Sequence, residues 1–181
     1  QALARCVVES GGLVNGVRFD ANGELGHSLS GDVEDIAVFG GSKYVQSDVR
    51  MIYSEVGEAL GRGRRGLFVS VPCQIDALYH FLGGRQDRLV TCDLICHGVP
   101  SPGYLRKVLD EAGVPVGDYA SVSFRNPSLW GDFGLRHRGR DLGCGAKLYL
   151  DAFMGGMNLR NSCYNCPYAR RERIGDLTLG D

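Results

Sequence analysis

Residues 66–84 read GLFVSVPCQIDALYHFLGG, and the way this stretch divides decides the fold. GLFVSV is a short apolar run, the pattern of a strand covered on both faces. Pro72 stands at the first helical position, where a missing N–H costs nothing. Ile75, Leu78, Tyr79 and Leu82 then recur at helical spacing, and two glycines end the run. A second buried strand follows in RLVTCDLIC (88–96). A second helix follows in SPGYLRKVLDEAG (101–113), with Ser101 as N-cap and Pro102 behind it. ASVSFR (120–125) is the next strand. Strand–helix alternation from 66 to 124 predicts an α/β centre with parallel neighbours.

Working outward, GLVNGVRFD (12–20) and LGHSLS (25–30) flank ANGE, whose Asn22-Gly23 signals a hairpin. That hairpin makes the sheet mixed. DVRMIYSEVGEALGRG (48–63) reads as a helix with Met51, Ile52, Val56 and Leu60 on one face, Asp48 as its cap and Gly61 at its end. Beyond 125, FGLRHR (133–138) reads as a strand, AKLYLDAFMGG (146–156) as a helix and GDLTLGD (175–181) as a final strand. There is no internal repeat, low-complexity tract or linker. The expectation is one α/β domain over 1–181, a mixed central sheet with flanking helices.

The net charge of -1 over 181 residues argues against a general nucleic-acid binder, which needs a basic surface. No apolar run approaches a membrane span and no signal peptide opens the chain. The first residue is Gln1 and the last is Asp181, so the chain reads as a fragment of a longer protein. Glycine, at 27 residues, is about twice its usual fraction. Either tight turns surround a cofactor or the domain is simply rich in loops. The seven cysteines are odd in number and no secretory signal accompanies them. That pattern argues against a disulfide framework and points to a cytoplasmic chain using some thiols for metal or redox chemistry.

In an α/β sheet, ligands gather at the carboxyl ends of strands. Cys73 follows the strand ending at Val71, on the first turn of a helix, and Cys96 ends the next strand. A helix N-terminus favours the thiolate that a metal needs. Cys163 and Cys166 form a CxxC near the end of the chain. These four are the candidate ligand set, and thiolate-only ligation suits structural zinc or an iron–sulfur cluster. Cys92 lies four residues before Cys96 on one strand, about 13 Å away, and reads as core. Cys6 in ARCVVE reads as core too, and Cys144 in LGCGAK could ligate, but such a residue is more commonly a flexible loop thiol.

GGSKYVQSD (40–48) is the second constellation. Gly40 and Gly41 permit close backbone approach, Ser42 and Lys43 offer donors to a phosphate, and Tyr44 could stack on a ring. The alternative is a capped turn with Ser47 or Asp48 capping the next helix and Lys43 in water. His97 could be a base or proton donor, or merely hydrogen-bonded. Arg62, Arg64 and Arg65 read as a solvated helix end.

The motifs GSKYVQSD, PCQIDAL, DLICHGVPSP, SFRN, RNSCYNCPYA and GDLTLGD occur in this order. In that order the sequence resembles the coenzyme F-420 hydrogenase/dehydrogenase beta-subunit family over roughly residues 10–181. The resemblance implies an iron–sulfur flavoprotein binding FAD and a [4Fe-4S] cluster. Cys73, Cys96, Cys163 and Cys166 match the family's cysteine motifs. Gly41, Ser42, Lys43, Tyr44, Gln46 and Ser47 would contact FAD, with Lys43 near phosphate. Electrons would pass between cluster and flavin for hydride exchange with a deazaflavin or other organic acceptor. A ferredoxin-like donor or hydrogenase/dehydrogenase subunits would be the partners. Arg160, Arg170, Arg171 and Arg173 around the CxxC would form either a cationic rim for an acidic donor or a solvated loop whose cations pair with Glu172, Asp176 or nearby carboxylates. Two departures stand out: Ser70 and Val71 replace the family's Gly-Thr, and its upstream ferredoxin segment and GDFWG continuation are absent. The competing expectations are a structural zinc-binding interaction domain and a scaffold that has lost its cofactors.

Overall fold

A computed structural model describes residues 1–126, 129 and 131–180 of the chain. Asp181, the end of the GDLTLGD motif, lies outside them. In chain order the elements are α1 (Ala2–Glu9), β1 (Leu13–Phe19), β2 (Leu25–Ser30), α2 (Val33–Phe39), α3 (Ile52–Gly61), β3 (Gly66–Ser70), α4 (Pro72–Leu82) and β4 (Leu89–Leu94). Then come α5 (Pro102–Glu111), β5 (Val122–Arg125), β6 (Phe133–His137), β7 (Arg140–Asp141), α6 (Cys144–Met154) and β8 (Leu177–Leu179), with short 3₁₀ turns at Val116–Ser121 and Asn161–Cys163.

The central sheet has the order β2-β1-β3-β4-β8. β1 and β2 are antiparallel, joined by a hairpin in register Phe19↔Leu25. The Asp20 carboxylate closes its loop by accepting from the backbone of Asn22 and Glu24. All other pairs are parallel, so the α/β architecture with a mixed central sheet is as expected.

Strand alternation sorts the core. Phe68 faces α3 and α4, in a cluster with Ile52, Val56, Ile75, Leu78 and Leu89. Leu67 faces α1 and α2, with Val8, Val14, Ile36 and Cys92. Fully burying a side chain such as Phe68, Ile75 or Leu78 stabilises the fold by about 1.5–3 kcal/mol. The third cluster packs α5 and α6 against β5, β6 and the turn end of the β1–β2 hairpin. α4 keeps its expected bounds: Pro72 opens it and Gly83, at φ 75, closes it in the left-handed region that L side chains avoid.

Several local expectations are corrected. β5 does not continue the parallel run; β5, β6 and β7 form a separate antiparallel sheet. The helix expected from Asp48 begins at Ile52. Asp48 is drawn away because its backbone pairs with Leu25 and His27 of β2, while its carboxylate accepts from Arg50 N. Met51, expected on the apolar face, is the N-cap residue and is exposed. Ser101 takes the N-cap position of α5, but its side chain makes no capping bond. Cys6 is exposed because α1 turns only Val8 fully into the core. Cys144 is the exposed first residue of α6, not a loop thiol. Cys92 is fully buried, as expected. Twelve glycines with positive φ are spread through loops along the whole chain, which favours turn chemistry as the source of the glycine excess.

Candidate metal and cofactor site

Parallel pairing of β3 with β4 sets the two strand-end cysteines side by side at the carboxyl edge. Cys73 occupies the second position of α4, and Cys96 lies two residues past β4. The CxxC arrives from far along the chain and is held by two sets of ties. On one side Arg160 N donates to Val99 O at 2.8 Å, and a bridge joins Pro100 to Leu159. These ties seat the 159–163 turn against the loop that leaves Cys96. On the other side the Tyr168 hydroxyl donates to Asp76 Oδ2 at 2.7 Å, one turn after Cys73.

The CxxC thiols consequently act on Cys73 and Cys96. Cys73 and Cys96 are both exposed to solvent. The surrounding protein nonetheless raises the Cys73 thiol, and Cys166 and Cys163 raise it further by like-charge repulsion. Crowding by protein pushes Cys96 up to about 11; Cys73, Cys163 and Cys166 add to this, while backbone hydrogen bonding at Gly98 opposes it. Among the described residues, no group of three or more Cys, His, Asp or Glu side chains could hold a metal ion as placed. The thiols are therefore neighbours, not a closed coordination set. Their donor chemistry still fits a thiophilic centre: clustered thiolates repel, and a cation among them removes that cost.

The segment after the CxxC is pinned from below. Asp93 is fully buried. Burial would raise its carboxyl, but hydrogen bonds from Thr178, Gly175, Arg173 and Ile174 outweigh that and lower it. Arg173 pairs with Asp93 at 3.1 Å and also donates to Leu94 O at 2.8 Å. Arg173 thus leaves the expected cationic rim and becomes an internal staple. Arg160, Arg170 and Arg171 remain exposed. Asp176 adds a second staple, accepting from Thr91 N and Oγ1 at 2.8 Å each and pairing with Arg85.

The 40–48 loop does not run directly into a helix. Gly41 and Ser42 are exposed. The Lys43 ammonium folds back on four carbonyls at the end of α2, those of Val38, Phe39, Gly40 and Gly41, the shortest at 2.8 Å to Gly40. It thereby offsets the negative end of that helix, and burial pulls it down to about 8. Tyr44 is enclosed: it stacks on Phe153 at 5.0 Å, and its hydroxyl accepts from Arg125. Gln46 N donates to Pro100 O at 3.0 Å, joining this loop to the one after Cys96. His97 bonds the Phe153 carbonyl through Nε2 at 3.1 Å, the merely hydrogen-bonded arrangement.

A buried polar chain that sequence reasoning missed lies between the loop and α4: Ser70, Gln74, Ser47, His27 and Asn15. Ser70 is 5% exposed and donates inward to Gln74. Tyr53 donates to the Gln74 carbonyl at 2.8 Å. The signal available was Gln74 itself, inside the PCQ motif.

Comparison with known proteins adds two findings. The family model for the C terminus of the coenzyme F420 hydrogenase/dehydrogenase beta subunit matches residues 63–181. No match was found among curated proteins. Among solved structures, the fold is similar to a chain of the F420-reducing [NiFe] hydrogenase complex from Methanosarcina barkeri. The TM-score is 0.61 at 20% identity, over 99% of this chain and 62% of that one. The chain thus spans less than two thirds of the length of that structural relative.

Proposed function

Because the chain belongs to the coenzyme F420 hydrogenase/dehydrogenase beta-subunit family, a family of oxidoreductases, we propose that it is the core of an iron–sulfur flavoprotein. A [4Fe-4S] cluster would be held by Cys73, Cys96, Cys163 and Cys166. The 40–48 loop would hold FAD. The observation that carries this reading is geometric: parallel β3 and β4 bring Cys73 and Cys96 to one carboxyl edge, and the Arg160–Val99 and Tyr168–Asp76 bonds tie the CxxC segment to the same edge. The cluster would pass single electrons and the flavin would exchange a hydride with a deazaflavin or other organic acceptor.

This chain's own residues supply position and environment. Gly41 and Ser42 present exposed backbone and hydroxyl to a phosphate. Lys43 keeps the loop in shape from the end of α2 and adds positive charge behind it. Gln46 and Ser47 tie the loop to its neighbours, and Tyr44 supports it from the aromatic cluster. The Tyr168–Asp76 and Arg160–Val99 bonds hold the CxxC against the other two thiols. No helix among the described residues is long and apolar enough to cross a membrane.

The full-length protein, purified without oxygen, is expected to contain iron, acid-labile sulfide and FAD and to show a visible band bleached by dithionite. Stoichiometric zinc with no iron after anaerobic purification would replace this reading with that of a structural zinc domain. The exposed Arg160, Arg170 and Arg171 would steer an acidic electron donor or another subunit of the complex. The rate of reduction by a ferredoxin should then fall with rising salt and fall further in Arg170→Glu/Arg171→Glu. A rate indifferent to both removes these arginines from the docking surface.

A further inference from the structure

We infer that His27 is a positioning residue: through a one-way hydrogen-bond chain it ties Ser47, on the loop assigned to FAD, to the first turn of α4, which carries Cys73. This inference rests on the proposed function for its consequence, but not for its geometry.

Donor accounting gives the direction of the chain. Asn15 is 1% exposed, and its amide nitrogen donates to Val69 O at 3.1 Å. Its oxygen therefore faces His27 Nδ1, at 3.1 Å. A carboxamide oxygen can only accept, so Nδ1 carries the hydrogen. Burial pulls His27 down to about 4, with Gln74 and Asp48 opposing, so the ring is neutral near pH 7. Nε2 is then a bare lone pair and needs a donor. The Ser47 hydroxyl, at 3.2 Å, supplies it.

Ser47 Oγ in turn accepts from the Gln74 amide nitrogen at 3.3 Å. Gln74 Oε1 accepts from Ser70. Every hydroxyl and amide in the chain from Ser70 to Val69 thus donates in one sense. The chain starts and ends on β3, and His27 stacks flat on Phe68 of the same strand, with centroids 5.8 Å apart. One contact opposes the pattern: Gln74 Oε1 lies 3.2 Å from Nε2, acceptor against lone pair. A proton at Nε2 would turn that contact attractive and remove the acceptor of the Ser47 hydroxyl. The neutral ring is what keeps Ser47 turned inward.

The consequence concerns Ser47. Its hydroxyl proton is used by His27, so Ser47 anchors the loop and does not donate to a cofactor. Ser70 fits the same account, since its buried hydroxyl is used by Gln74 within this chain.

Two independent measurements test the inference. Nitrogen-15 NMR of the full chain at pH 7 should show His27 as the Nδ1–H tautomer; the Nε2–H tautomer would overturn the inference. FAD affinity, read by flavin fluorescence titration, should fall about tenfold in His27→Phe, which keeps the stacking and removes both nitrogens. Ser47→Ala should lose a similar factor, and the double variant should be no worse than either alone. His27→Gln, whose amide can replace the Nε2 acceptor, should recover most of the loss. Additive losses, or no recovery with glutamine, reject the inference. If the wild-type chain binds no FAD, the flavin assignment fails, and the tautomer alone decides the role of His27.

Discussion

Replacing Cys166 with serine is expected to abolish cluster binding in the full-length protein, from about four irons per chain to nearly none. Cys73→Ser, Cys96→Ser and Cys163→Ser should behave alike. A serine hydroxyl is a hard, weakly acidic donor, whereas iron in a cluster is held by thiolates. One missing ligand also leaves the remaining three to repel one another. The controls lie in the same chain. Cys6 and Cys144 are exposed thiols in α1 and α6, and neither is among the groups that shift Cys73 or Cys96. Cys6→Ser and Cys144→Ser should therefore keep full iron and sulfide content. Iron, sulfide and the visible absorption of anaerobically purified variants are the measurements. If Cys144→Ser loses as much iron as Cys166→Ser, the ligand set is misassigned.

The second large effect is on stability. Arg173→Leu is expected to cost about 3–5 kcal/mol, because it strands the buried Asp93 carboxylate without its cation. For a chain of this size that corresponds to a fall in Tm on the order of 10 °C. Asp93 retains its hydrogen bonds from Ile174 and Gly175 at 3.2 and 3.3 Å, so the lower end of the range is favoured.

The pH dependence follows from sign. The folded Asp93 carboxyl is lowered relative to the unfolded chain. Its stabilisation is therefore fully present above the unfolded carboxylate range and is lost as pH falls through the lower folded value. Removing Arg173 raises the folded value, so acid unfolding should begin at higher pH. Asp93→Leu/Arg173→Leu should recover much of the loss, since no buried charge then remains. A double variant as unstable as Arg173→Leu would mean that the hydrogen bonds to 174 and 175, not the charge pair, hold the segment.

The β3–α4–β4 unit was legible because its information is local. A β-strand repeats every two residues and a helix every 3.6, so Phe68, Ile75 and Leu78 declare their faces to immediate neighbours. Pro72 and Gly83 punctuate the helix through their own backbone limits. The candidate ligands were legible for a related reason: Cys73 and Cys96 directly follow apolar runs, which places them at strand ends in any α/β arrangement. Cys6 was misread because a short helix with one fully buried residue carries too little periodicity to show which side faces water. Arg173 was misread because its partner, Asp93, lies 80 residues earlier and nothing near Arg173 in sequence indicates a buried carboxylate.

By itself, then, the sequence determined the alternating elements, the mixed sheet and the family to which the chain belongs. Tertiary structure alone decided that β5–β7 leave the central sheet, that Tyr168 and Arg160 carry the CxxC to the other thiols, and that His27 meets Asn15, Ser47 and Gln74. The physical reason is the same in each case. Apolar burial depends on patterns spaced by a few residues, whereas a buried polar group must find a complementary donor or acceptor wherever the chain's topology brings one within about 3 Å.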